Sequence, residues 1–156
     1  MLDLNIPGLG EMHIEYLVLD YNGTLAMDGK PLPGVLERLE ALSQVLQIYV
    51  LTADTHGGAR VALGDVPVTL VVLGADNQPE QKQAYVNELG PAKTIAIGNG
   101  YNDHLMLREA VLGMAVLEKE GLASAALRNA DLIFGSITDA LDSLLHPLRL
   151  AATLRR

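Results

Sequence analysis

The sequence predicts an α/β fold with a mostly parallel central sheet. Short β-rich apolar runs alternate along the chain with segments of helical period, and no repeat or low-complexity linker breaks the alternation. Polar residues also collect directly after several of the apolar runs, where open parallel sheets bind ligands. At 156 residues the chain has the size of one domain with a substantial core, so residues 1–156 are expected to form a single unit.

Leu2–Ile6 and Met12–Ile14 flank Pro7-Gly8-Leu9-Gly10 and read as a small N-terminal hairpin. Tyr16–Leu19 is the first core strand, which leaves Asp20 at its C-terminal end. A helix follows over Gly34–Ser43, with Val35, Leu36, Leu39 and Leu42 on one face, and then a strand over Gln47–Leu51 that Thr52 terminates. Val68–Leu73 is the next strand, after a further helix, and Glu80–Leu89 is helical. Thr94–Ile97 and Gly113–Val116 are the last two strands expected. Helices near Leu122–Leu127 and over Ile137–Leu145 close the pattern; Ile137, Ala140, Leu141, Leu144 and Leu145 form a stripe that belongs to the core. A helical tail occupies 147–156.

Composition narrows the function. Hydrophobic residues make up 49% of the chain, yet no apolar stretch approaches the roughly 20 residues of a membrane span. The first residues lack the basic segment and long apolar core of a secretory signal, and there is no cysteine, so a cytoplasmic protein without disulfides or thiolate metal sites is expected. A net charge of −8 with 11 Lys and Arg argues against nucleic acid, whose binding rests on many cationic contacts.

The stretch LVLDYNGTLA, Leu17–Ala26, admits two readings. An Asn-Gly pair between apolar runs is a strong signal for a two-residue hairpin. Such a turn gives no reason for Thr52 and the polar loop Gly98–Asp103 to stand at other strand ends in the same crevice. A catalytic loop does.

Four separated motifs carry a family resemblance. Asp20-Tyr21-Asn22-Gly23-Thr24, Thr52-Ala53-Asp54, Pro79-Glu80-Gln81-Lys82 and Gly98-Asn99-Gly100-Tyr101-Asn102-Asp103 resemble, in order, the D-x-D-G-T or D-K-T-G-T, T-G-D, P-x-x-K and G-D-G-x-N-D signatures of the haloacid dehalogenase superfamily. The likeness covers about residues 12–145 and is strongest to the phosphorylation domain of P-type ATPases. It implies a Rossmann-like three-layer αβα fold and a Mg²⁺-dependent phosphotransfer chemistry.

By this resemblance Asp20 is the nucleophile that forms an aspartyl-phosphate, and it shares Mg²⁺ with the Asn22 backbone carbonyl, Asn99 and Asp103. Gly23 lets the backbone approach the phosphate. Thr52 gives its hydroxyl to a phosphoryl oxygen, and Lys82 offsets negative charge on Asp20 and the phosphate. Asp54 orients Lys82, and with Asn22, Gly23 and Asn102 it borders the substrate. Lys93 is a rival lysine, but it precedes a strand and lacks the Pro-x-x-Lys context.

Two departures stand out. Most phosphatases of this superfamily have a second aspartate where this chain has Asn22, and an amide neither protonates a leaving group nor activates water; loss of such a group typically removes about 10²–10⁴-fold in rate. P-type ATPases also lack that aspartate, which implies a phosphoenzyme that persists. Asn99 replaces a metal-binding aspartate, so weaker metal binding is expected.

Positions 21–51 and 53–81 leave room for a short flap at Met27-Asp28-Gly29-Lys30 but for no cap domain, nucleotide-binding insertion or membrane helices. An uncapped site suits a large or macromolecular phosphorylated substrate, or a partner subunit that covers the opening. The apolar tail from Pro147 favours a homo-oligomer. The reading is a capless phosphohydrolase made slow by Asn22; the alternative is a phosphate-binding or regulatory module that keeps the fold.

Gly98-x-Gly100 is also part of a dinucleotide fingerprint, but Asp103 stands where its third glycine belongs. Asp20-x-Asn22 opens like an EF-hand, but Leu25 occupies the required glycine position. His13, His56, His104 and His146 have no ligand spacing, although His56 and His104 lie near the motifs.

Overall fold

A computed structural model describes residues 1–156. Six parallel strands form the central sheet: β3 (Tyr16–Asp20), β6 (Gln47–Thr52), β7 (Thr69–Val72), β8 (Thr94–Gly98), β9 (Leu112–Val116) and β10 (Leu132–Phe134), in the order β10-β9-β8-β3-β6-β7. Side chains alternate between its faces, as the strand period of two requires. From β3, Leu17 and Leu19 enter the larger core with Val35, Leu39, Leu141 and Leu144, whereas Val18 joins Val86, Met106, Leu107 and Ala126 on the other side.

Helices α1 (Val35–Leu42), α2 (Gly58–Leu63), α6 (Ile137–Leu145) and α7 (Pro147–Leu154) supply the first layer, and α3 (Gln78–Leu89), α4 (His104–Glu109) and α5 (Ser124–Asn129) the second. The α1 and α6 helices are joined by a two-point pair, Arg38 Nε to Asp142 Oδ1 at 2.7 Å and Nη2 to Oδ2 at 3.1 Å. Ser136 caps α6 by accepting from the Asp139 amide.

The N-terminal hairpin, β1 (Leu2–Ile6) with β2 (Gly10–Ile14), is antiparallel and separate from the main sheet. The α7 helix closes over β1: Leu150 is buried in the larger core, Ala151 and Leu154 pack against it, and the Arg156 amide donates to the Pro7 carbonyl at 2.9 Å. The tail therefore packs Leu150, Ala151 and Leu154 within its own chain and leaves Leu148 exposed. No helix is long and apolar enough to cross a membrane.

A second short hairpin, β4 (Ala26–Met27) with β5 (Lys30–Pro31), forms the flap beside the first motif. Its two-residue turn is Asp28-Gly29, with φ of 52° and 79°, the pair of positive angles that a type I′ turn needs. The hairpin signal at Asn22-Gly23 is thus displaced: Asn22-Gly23 belongs to a tight loop in which the Tyr21 carbonyl accepts from the amides of Thr24, Leu25 and Ala26.

Among the strands and α-helices, β10 and α4 exceed the sequence reading. The chain order reverses at β3, because β6 and β7 extend the sheet one way and β8, β9 and β10 the other. Ligand crevices of parallel sheets open at such a switch point, beyond the strands' carboxyl ends. Asp20 pairs in register with Leu51, and Leu19 with Ile97, so Asp20, Thr52 and Gly98 stand at one level of that edge.

Candidate active site

Asp20, at the end of β3, is 6% exposed. Its Oδ1 accepts from Lys82 Nζ at 2.8 Å and its Oδ2 from the Thr24 hydroxyl at 3.1 Å. Lys82 comes from the first turns of α3 and also donates to Asp103 Oδ1 at 2.7 Å. Asp103 has no exposed surface, and its Oδ2 accepts from the backbone amides of Asn99 and Gly100 at 3.0 and 2.9 Å. Three charged side chains from three separate elements thus meet out of water.

The electrostatics follow from that burial. Desolvation, and then the Asp103 charge, push the Asp20 carboxyl up to about 7 against the opposing pull of Lys82 and Thr24. Burial acts to lower the Lys82 ammonium, but Asp103 and Asp20 outweigh it and hold the group above its ordinary value. Lys82 is therefore a fixed cation at neutral pH.

Glycine is required where the loops touch. A Cβ at Gly98 would stand 2.5 Å from Asp103 Cγ, so only glycine lets Asp103 fold back over the end of β8. Gly23, at φ 84°, presses on the Asn99 side chain, where a Cβ would stand 2.6 Å from Nδ2. Its amide donates to the Ala26 carbonyl at 2.8 Å, so Gly23 holds the loop's shape and has no free N–H for an anion.

Thr52 is buried at the end of β6, and its Oγ1 accepts from the Asp54 amide at 3.1 Å, which leaves its own proton to donate. Asp54, expected to orient Lys82, makes no contact with it. Its carboxylate accepts from the Ala59 and His56 amides, which hold it below the usual carboxylate range, and it organises the loop between Thr52 and α2. Lys82 is oriented by Asp103 and Asp20 instead.

Asn102 donates to Gln78 Oε1 at 3.0 Å and ties the glycine loop to the start of α3. Asn22 is exposed, and its carbonyl accepts no hydrogen bond from the chain. His104 packs against Tyr101 with ring centroids 4.6 Å apart, His13 pairs with Asp3 on the N-terminal hairpin, and no histidine reaches Asp20.

The donor set suits a hard cation. Thr24 has one hydroxyl proton for two acceptors, Asp20 Oδ2 at 3.1 Å and Asn99 Oδ1 at 3.2 Å, so one of these oxygens is always without it. Those two oxygens and the unpaired Asn22 carbonyl are the residues able to hold Mg²⁺, which is commonly bound through one or two carboxylates with its remaining positions on water or phosphate. Asp103, expected at the metal, has its carboxylate engaged by Lys82 and two amides. The sequence reading passed over Thr24 and Gln78; Thr24 lay within the first motif, whereas nothing local marks Gln78.

The surface grooves lie elsewhere, beside the N-terminal hairpin, at the α1–β6 turn and between β10 and α7, and none is lined by these residues. The site is marked by convergent buried charge rather than by a deep cavity.

Fold and site together define a capless three-layer α/β domain with a buried Asp20–Lys82–Asp103 centre at the carboxyl ends of its strands. Residues 2–110 match the family model described as haloacid dehalogenase-like hydrolase, and the chain belongs to that family. An uncharacterized protein of Methanocaldococcus jannaschii is 49% identical over 63 residues, 40% of this chain and 68% of that one. The fold is that of 3-deoxy-D-manno-octulosonate 8-phosphate phosphatase from Moraxella catarrhalis, solved with magnesium ion, phosphate ion and KDO, with a TM-score of 0.72 at 17% identity over 92% of this chain and 95% of that one. The cobalt-bound deoxy-D-mannose-octulosonate 8-phosphate phosphatase of Haemophilus influenzae superposes with a TM-score of 0.71 at 14% identity, covering 92% and 94% of the two chains.

Proposed function

We propose that this hydrolase is a phosphohydrolase that carries the phosphoryl group covalently on Asp20 and uses Mg²⁺. The observation that supports it best is the buried Lys82 ammonium, fixed 2.8 Å from Asp20 and 2.7 Å from Asp103. A preorganised cation out of water is what phosphoryl transfer asks of a protein, because charge on the equatorial oxygens must be neutralised without solvent reorganisation.

In this reading an Asp20 carboxylate oxygen attacks phosphorus in line with the leaving group. The new bond is the acyl phosphate, and the leaving oxygen departs with the electrons of the broken P–O bond. Thr52 donates its free proton to a phosphoryl oxygen, and Lys82 offsets the charge gathered on Asp20 and phosphate. Water then cleaves the acyl phosphate and restores the carboxylate. Mg²⁺ on Asp20, Asn99 and the Asn22 carbonyl would withdraw charge from the phosphoryl oxygens. The magnesium- and cobalt-bound relatives support this choice of cation.

The phosphatase names of the fold relatives and the open site favour a phosphomonoester, including a large or macromolecular one. Asn22 favours a second reading, a phosphate-binding or regulatory module, because its exposed amide exchanges no proton. Beryllium fluoride, an aspartyl-phosphate mimic, separates the two. With millimolar Mg²⁺ it is expected to raise the melting temperature of the wild type and not of Asp20→Ala. An unchanged wild type, together with no phosphate release from a panel of phosphomonoesters, would favour the second reading.

A further inference from the structure

Asn99 stands where the family has an aspartate, and three neighbours fix its side chain. Gly23 packs so closely that a Cβ there would lie 2.9 Å from Oδ1 and 2.6 Å from Nδ2. The Thr24 hydroxyl faces Oδ1 at 3.2 Å. Nδ2 donates to the Gly121 carbonyl at 3.1 Å. A carbonyl only accepts, so the amide cannot be turned over: nitrogen faces Gly121, and oxygen faces the Thr24 hydroxyl that Asp20 Oδ2 shares.

Gly121 is itself held in place. Its φ is 90°, its amide donates to the Glu118 carbonyl at 2.9 Å, and the Ala123 amide donates to the Asn99 carbonyl at 2.8 Å. Glu118 Oε1 accepts from the Ile137 amide at 2.6 Å, which pins the same turn to the start of α6. The Gly121 oxygen therefore has little freedom to retreat. Aspartate at position 99 would be isosteric with asparagine and meet no steric obstacle. Its second oxygen would face the Gly121 carbonyl, acceptor against acceptor, at a position only 8% exposed.

We propose that the Gly121 carbonyl selects an amide at position 99, making Asn99 a neutral oxygen donor at the Thr24 hydroxyl it shares with Asp20, and that the site therefore takes up its divalent cation together with the phosphoryl group. The second half rests on the phosphohydrolase reading; the first does not. With Asn99 neutral, Asp20, Asp103 and Lys82 sum to at most a single negative charge, reached when Asp20 is ionised. A cation then finds too little charge until a phosphate dianion arrives, and each must raise the other's affinity by the same factor.

The test compares wild type, Asn99→Asp and Asn99→Ala by melting in chelator and by calorimetric titration with Mg²⁺ alone, inorganic phosphate alone, and each in the presence of the other. In chelator, Asn99→Asp is expected to melt roughly 3–10 °C below wild type, as loss of a buried hydrogen bond facing an acceptor dictates. Wild type is expected to bind Mg²⁺ at least about 10-fold more tightly with phosphate present, within the usual range of coupling between sites. Asn99→Asp is expected to gain affinity for Mg²⁺ alone and to lose most of that coupling. Asn99→Ala loses stability without gaining Mg²⁺ affinity, which separates charge from packing.

An Asn99→Asp protein as stable as wild type in chelator overturns the selection of an amide. Equal Mg²⁺ affinity with and without phosphate in wild type overturns coupled uptake, and this measurement decides even if the variant does not fold. A destabilised Asn99→Asp protein in which neither form binds phosphate overturns the phosphohydrolase reading and leaves the amide selection standing.

Discussion

Lys82 and Asp103 form an ion pair of 2.7 Å with both side chains sealed from solvent. Breaking a buried pair from one side strands the other charge, which typically costs about 3–5 kcal/mol. Lys82→Met, which leaves Asp20 and Asp103 without their cation, is expected to lose stability of that order and to abolish hydrolysis. Asp103→Asn is expected to lose less, because Lys82 keeps Asp20. The Lys82→Met, Asp103→Asn double variant should be more stable than the sum of the single losses by about 0.5–3 kcal/mol, the range for residues in direct contact. Urea denaturation of the four proteins reads this, and strict additivity would contradict the pair's coupling.

The raised Asp20 carboxyl links stability to pH. Its folded value, about 7, lies above the unfolded value near 3.9. The protonated form therefore favours folding; the contribution is complete below the unfolded value and is lost as pH rises through the folded one. In chelator, Asp20→Asn does not titrate, so its melting temperature is expected to gain on that of wild type between about pH 4 and pH 7. Parallel melting curves across that window would mean that Asp20 ionises normally.

Asn22 makes leaving-group chemistry the most direct kinetic test. Without an acid beside Asp20, aryl and acyl phosphates are expected to react far better than alkyl phosphates, whose alkoxides need a proton. Asn22→Asp is nearly isosteric and should raise turnover of alkyl phosphates by about 10-fold or more, within the roughly 10²–10⁴-fold range for such groups. The gain should grow with Mg²⁺, since a second carboxylate resists joint ionisation with Asp20 when the cation is scarce. Absence of any leaving-group preference in wild type would mean that Asn22 does not limit catalysis.

The C-terminal helix separates folding from association. Leu150 is 1% exposed and Leu148 is 85% exposed. Leu150→Ala is expected to cost about 2–5 kcal/mol through the cavity it opens, while Leu148→Ala costs almost nothing in stability. Light scattering tests the homo-oligomer expected from the tail's composition. A wild-type monomer at micromolar concentrations removes that expectation, and a dimer weakened by Leu148→Ala places its contact on α7.

Much of the fold was legible because strand and helix periods are long-range patterns, and the motif positions followed from where the apolar runs stop. The exceptions are short. Leu132–Phe134 has only three residues, too few to show a period, and owes its strand conformation to pairing with β9. His104–Glu109 lies inside the fourth motif, so its residues read as loop chemistry although Met106 and Leu107 are buried. In the site, residue identity was visible but partnership was not. Nothing near Asp54 says that its oxygens will turn to the Ala59 and His56 amides, and nothing near Asp103 says that both its oxygens will be engaged. Those bonds are set by how loops close in space. Asn22-Gly23 and Asp28-Gly29 carry similar turn chemistry, and only strand pairing decides that the second pair is the hairpin turn.

The flap is held by its own base: the Tyr21 hydroxyl donates to the Gly29 carbonyl at 2.9 Å, with the tyrosine buried beside Asp20. A hairpin this short, tethered at its tip, has no room to swing over Asp20. Asp20 is instead screened from water by residues that are already in place, so the flap has no closing movement to make before chemistry and none to reverse afterwards. Turnover is then expected to be indifferent to solvent viscosity, with the same rate in buffer and in concentrated sucrose or glycerol, whereas enzymes gated by a moving lid slow down as the medium thickens.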